Sequence, residues 1–223
     1  MNSGYAGWRA PVQWAIGLVM LMLAMAAPTL SAQATPNATK PVRTVLVMGD
    51  SLSAAYGLSA SQGWVALTAD RVTRLRPGWR MVNASISGET TAGGASRIAG
   101  ELKRSKPSVV VIELGANDGL RGLPLALTRA NLERMIKLSQ ASGARVLLVG
   151  MRMPPNLGRD YTQGFERNYS ELSKLHKTGF LPFLLEPIAR DRANFQPDNL
   201  HPVASAQPKL RDHVWKSLAP LLD

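Results

Sequence analysis

Five short apolar runs alternate with stretches of helical periodicity between residues 43 and 218, and few folds accommodate that rhythm. The runs fall at about 43–48, 79–84, 108–114 and 144–150, with a weaker one at about 180–185. Amphipathic patterns at about 63–75, 92–104, 125–142, 165–177 and 204–218 separate them. Short apolar strands without polar alternation are buried on both faces, and helical crossovers between them make neighbouring strands parallel. Right-handed crossovers place helices on both sides of the sheet. The expected fold is therefore α/β, a three-layer α/β/α sandwich with a five-stranded parallel sheet.

The chain has 223 residues, enough for one domain with a full core. Ahead of the first strand, an uncharged apolar stretch at 14–30 follows Arg9 and ends in Ser31-Ala32-Gln33-Ala34. That pattern reads as a secretory signal peptide cleaved after Ala34, with an uncleaved membrane anchor as the alternative. The expected organisation is a signal peptide at 1–34, a Thr/Pro/Asn linker at 35–41 and one domain at 42–223. Cysteine is absent, so neither disulfides nor a lipid-modified cysteine anchor is available. The expected product is an exported monomer, periplasmic or secreted. Removal of Arg9 from the 26 basic residues leaves 25 against 15 acidic, a formal +10. Such a charge favours transient contact with anionic membrane surfaces as well as solubility. The basic residues are scattered, without the interleaved aromatics of a nucleic-acid groove, so no nucleic-acid partner is expected.

The first apolar run leads directly into Gly49-Asp50-Ser51-Leu52. A strand that ends in this way delivers Ser51 to the carboxyl edge of the sheet, where ligands of open α/β sheets bind. A helix is expected to begin there, with its free N–H groups turned toward the same spot. Ser51 equally suits a helix N-cap, and the tetrapeptide alone leaves both roles open. A serine nucleophile needs a base, a group that orients the base, and oxyanion donors. Of three histidines, His176 ends a helix and His213 sits within the last one. His201 occupies an irregular segment with Asp198 three residues earlier, a spacing that allows a carboxylate to meet Nδ1. Two more loops follow strands at the same edge, one containing Gly88 and the other Asn117. A glycine N–H and an uncharged amide are both suitable oxyanion donors.

These stretches, with 82–88, 113–122 and His201-Pro202, resemble the SGNH/GDSL hydrolase family in identity and in order. The resemblance implies a flavodoxin-like fold and a cofactor-free serine hydrolase with no metal. It implies arylesterase, acyl-thioesterase and lysophospholipase activities on small acyl esters and thioesters. Position by position it implies Ser51 as nucleophile, His201 as general base and acid, and Asp198 as its partner. It further implies the N–H groups of Ser51 and Gly88 and the Asn117 amide as the oxyanion hole. The loop at 151–157, with Met153 and Pro154, is expected to line an acyl groove, joined by Leu120 and Leu123. Glu89 stands where the family often has aspartate, and Ala116 where it often has glycine. Rival readings are a carbohydrate esterase of the same fold, a non-catalytic lipid-binding protein and a metal-dependent phosphoesterase.

Overall fold

A computed structural model describes residues 1, 2, 4 and 41–223. The expected signal peptide, apart from residues 1, 2 and 4, and all but the end of the expected linker lie outside the described residues. Five strands, β1 (Arg43–Gly49), β2 (Trp79–Asn83), β3 (Val109–Glu113), β4 (Arg145–Val149) and β5 (Gly179–Leu181), form one sheet. All are parallel, in the order β2-β1-β3-β4-β5. The expected parallel sandwich is the fold observed, with the strand order of the flavodoxin-like class.

Central position accounts for the composition of β1 and β3. Val45, Leu46, Val47 and Met48 are completely buried, as are Val109, Val110, Val111 and Ile112. Each such side chain contributes about 1.5–3 kcal/mol on burial, so these two strands anchor the domain. The helices are α1 (Trp64–Leu75), α2 (Thr91–Ser105), α3 (Ala116–Leu120), α4 (Leu125–Ala141), α5 (Arg159–His176) and α6 (Gln207–Leu218). Helix α1 packs on α6, while α2, α4 and α5 pack side by side, which gives the two outer layers. Among the described residues no helix is long and apolar enough to cross a membrane.

Four local expectations are corrected. No helix starts at Ser51: residues 51–57 form consecutive turns, because Ala55 and Gly57 take left-handed φ values of 60° and 74°. Asn117 lies on the short helix α3 rather than in an open loop. Helix α5 begins six residues before the expected 165, since Arg159 and Asp160 at its start are exposed and polar and Gly158, at φ 87°, sets its start. Strand β5 stops at Leu181, where Pro182 removes the next ladder donor.

Helix α3 owes its position to Gly115, whose φ is 120° and whose missing Cβ leaves room for the Tyr169 hydroxyl. That hydroxyl donates to the Leu114 carbonyl at 2.8 Å, tying α5 to the end of β3. The Asp118 carboxylate then accepts from the Thr91 N–H at 2.8 Å and from the Thr91 hydroxyl at 2.5 Å. An acid at the positive end of α2 is favoured by the helix dipole, so α3 is fastened to α2 as well.

Candidate active site

The switch between β1 and β3, where the chain order reverses, is where doubly wound sheets open a crevice. Ser51 follows β1 there, Gly88 follows β2, and Asn117 follows β3. The loop that carries Asp198 and His201 arrives from 150 residues downstream of the serine. An antiparallel bridge between Phe195 and Pro202 closes that loop. Gln196 then fastens it to the serine turn: its backbone N–H donates to the His201 carbonyl at 2.8 Å, and its amide to the Tyr56 carbonyl at 2.9 Å.

The Ser51 hydroxyl lies 2.8 Å from His201 Nε2, and His201 Nδ1 lies 2.7 Å from Asp198 Oδ2. The other Asp198 oxygen accepts from the backbone N–H groups of Leu200 and His201 at 2.9 and 3.0 Å. The His201 hydrogen bond, followed by those two N–H groups, holds the Asp198 carboxyl down at about 2. An ionised carboxylate can only accept, so Nδ1 carries the proton and Nε2 is free to take one from Ser51. The Tyr56 ring lies 4.4 Å from the imidazole, centroid to centroid, and limits its rotation. His176 instead faces Glu133, and His213 meets the Phe183 carbonyl.

Ser51, Gly88 and Asn117 line one cavity of about 590 Å³. Among the described residues no acceptor meets the backbone N–H of Ser51 or Gly88. The Asn117 amide donates to the Glu89 carbonyl at 3.0 Å and to Asp50 Oδ2 at 3.2 Å. Glu89 turns its own carboxylate away to pair with Arg97. The cavity wall contains the expected Leu120, Met153 and Pro154, and also Met151. It does not contain Leu123 or Leu157: the Leu123 carbonyl is taken by the Tyr161 hydroxyl, which holds that segment back against α5. Met153 seats its sulfur over Gly119, in the space a Cβ would fill. Phe183, Leu185 and Phe195 complete an apolar wall that the sequence patterns did not single out. Among the described residues no group of three or more His, Cys, Asp or Glu side chains is arranged to hold a metal ion.

Two acids lie beneath the serine, and both were missed in the sequence. Asp50 is completely buried; burial raises its carboxyl to about 6 against the opposing effects of the Leu52 N–H, the nearby His201 and the Asn117 amide. Glu113, on β3, accepts from the Ser53 hydroxyl at 2.6 Å. Burial first, and the Asp50 charge second, push its carboxyl well above the usual range. A raised carboxyl keeps in the folded state a proton that the unfolded chain releases above about 4.5, so stability falls as pH rises from there. Glu113→Gln should flatten that decline by up to about 1.4 kcal/mol per pH unit. Urea unfolding at several pH values measures it; parallel pH slopes for the two proteins would contradict a proton held on Glu113.

The sequence profile of the GDSL-like Lipase/Acylhydrolase family matches residues 47–207, which include all five site residues. The esterase TesA of Pseudomonas aeruginosa is 48% identical over 180 residues, 81% of this chain and 90% of TesA. The thioesterase 1/protease 1/lysophospholipase L1 of Escherichia coli K12 is 39% identical over 184 residues, covering 81% and 85% of the two chains. A crystal structure of TesA superposes with a TM-score of 0.78 at 47% identity, over 80% of this chain and 99% of that one. With the family profile spanning most of the domain and relatives of this identity, the chain belongs to the GDSL-like lipase/acylhydrolase family.

Proposed function

We propose that this protein hydrolyses carboxylic esters and thioesters of acyl substrates through an acyl-enzyme on Ser51. The observation that carries the reading is the continuous chain from Ser51 through His201 to Asp198 at the mouth of an apolar cavity. Ser51 Oγ attacks the carbonyl carbon while Nε2 of His201 takes its proton. The resulting oxyanion accepts from the N–H groups of Ser51 and Gly88 and from the Asn117 amide. His201 then returns the proton to the leaving alcohol, lysophospholipid headgroup or thiol as the C–O or C–S bond breaks. Water repeats the sequence from the other side, freeing the acid and restoring Ser51. Every proton is accounted for by Ser51, His201 and water.

Met151, Met153, Phe183, Leu185 and Phe195 offer an acyl chain an apolar wall, and methionine adapts to varied chain shapes. That lining favours aryl esters, acyl-CoA thioesters and lysophospholipids over acetylated sugars. The two named relatives, an esterase and a thioesterase/lysophospholipase, point the same way. We further assign residues 1–34 as a signal peptide, so that the mature monomer works in the periplasm or outside the cell. Its formal +10 would draw it toward anionic headgroups. The test is a panel of p-nitrophenyl esters, acyl-CoA thioesters and acetylated xylo-oligosaccharides across chain lengths. Medium and long acyl chains should give kcat/KM at least about tenfold above acetate, because several buried methylenes each add about 0.8 kcal/mol. Preference for the acetylated sugars would overturn the acyl reading.

A further inference from the structure

Asp50 belongs to neither the nucleophile, base and acid set nor the donor set, yet it touches both halves of the site. It immediately precedes Ser51, and its side chain is completely buried at the cavity wall. Its Oδ1 accepts from the Leu52 N–H at 3.0 Å, which fixes the turn that presents the serine. Its Oδ2 accepts from the Asn117 amide at 3.2 Å, 67 residues away on α3. The second amide proton of Asn117 goes to the Glu89 carbonyl at 3.0 Å. Three segments, those following β1, β2 and β3, thus meet at one amide group.

We propose that Asp50 is a positioning residue for the oxyanion donor, locking the Asn117 amide to the turn that carries the nucleophile. The proposal rests on the roles given above to Ser51 and Asn117. Both partners of Asp50 are donors, so only a group that accepts at both ends satisfies them. A carboxylate does so; an asparagine would turn its own NH₂ toward one of the two and break that bond. The 3.2 Å bond is also longer than the about 2.7–2.9 Å usual between an N–H donor and a charged acceptor. It holds the amide at the wall of the cavity that Ser51 and Gly88 also line. The Ser53 hydroxyl on Glu113 and the Asn83 amide on the Ser53 carbonyl, at 2.9 Å, brace the same turn from below. Among the described residues Asp50 alone connects that turn to the oxyanion donor.

A double-mutant cycle separates positioning from a general structural role. The measurement is kcat and KM for a p-nitrophenyl ester with wild type, Asp50→Asn, Asn117→Ala and the double variant, with circular dichroism on each. Asn117→Ala should lower kcat about 10²- to 10³-fold. Asp50→Asn should lower kcat about 30- to 100-fold with KM within about threefold, because only the transition state needs the aligned amide. In the Asn117→Ala background the same change should cost no more than about threefold. Asp50→Ser, which can still accept from the Leu52 N–H in a short polar turn but cannot reach Asn117, should match Asp50→Asn and supplies the cycle if the latter does not fold. Losses that multiply in the double variant overturn the proposal alone. Unchanged kcat in Asn117→Ala overturns the oxyanion assignment, and the proposal with it.

Discussion

Ser51→Ala should lower ester and thioester hydrolysis by at least about ten-thousand-fold, with the fold intact. Among the described residues the serine oxygen is the only hydroxyl placed 2.8 Å from the imidazole, and its loss leaves His201 without a nucleophile to activate. Ser53 is no substitute. It is buried, and its hydroxyl is committed to Glu113 at 2.6 Å. The residual rate would come from water attacking a carbonyl that the donors still polarise. Stopped-flow or endpoint release of p-nitrophenol measures the loss, and retention of even about a tenth of the wild-type rate would show that the acyl group is not carried by Ser51.

Asp198→Asn should cost kcat on the order of ten-thousand-fold, by analogy with other Ser-His-Asp sites, while KM changes little. The reason is which nitrogen holds the proton. Asp198 now compels Nδ1 to donate, because a carboxylate held at about 2 remains an acceptor throughout the working range. An asparagine oxygen would keep the backbone bonds from Leu200 and His201, and its NH₂ would face Nδ1 as a donor. The imidazole would then place its proton on Nε2, toward Ser51, where no base would remain. The direction of the Asp198 shift also fixes a pH expectation. Its orienting charge is present above about pH 2, so loss of activity on mild acidification must arise elsewhere in the site. An Asp198→Asn enzyme with near-wild-type kcat would leave His201 oriented by some other group.

The sequence made the sheet legible because each strand is a local apolar run, and the runs at β1 and β3 are bounded by Gly49 and by Gly115 just beyond Glu113. The meeting of Ser51, Gly88, Asn117, Asp198 and His201 was legible for a related reason: each follows a strand or precedes the last helix, so topology gathers them at one edge. What the sequence hid depends on contacts between distant segments. Nothing local in Tyr56 announces that it packs on a histidine 145 positions later, or in Gln196 that it reaches back to Tyr56. The wall formed by Phe183 and Leu185 was disguised as strand, because the apolar run through Pro182 continues after the ladder has ended. The paired burial of Asp50 and Glu113 was hidden as well. A carboxylate beside Ser51 looks like a helix cap until the structure shows two donors converging on it. The turn at Ser51 is hidden because alanine at 55 is a helix former, and only the folded chain forces it to a φ of 60°.

The most direct test of the central claim, an acyl-enzyme on Ser51, is reaction of the intact protein with a fluorophosphonate followed by mass spectrometry of its peptides. A single adduct should form, on the peptide containing Ser51, in step with loss of esterase activity, and Ser51→Ala should remain unlabelled. Stoichiometric labelling at Ser53, Ser87 or any other residue, or full activity in a protein labelled at Ser51, would contradict it.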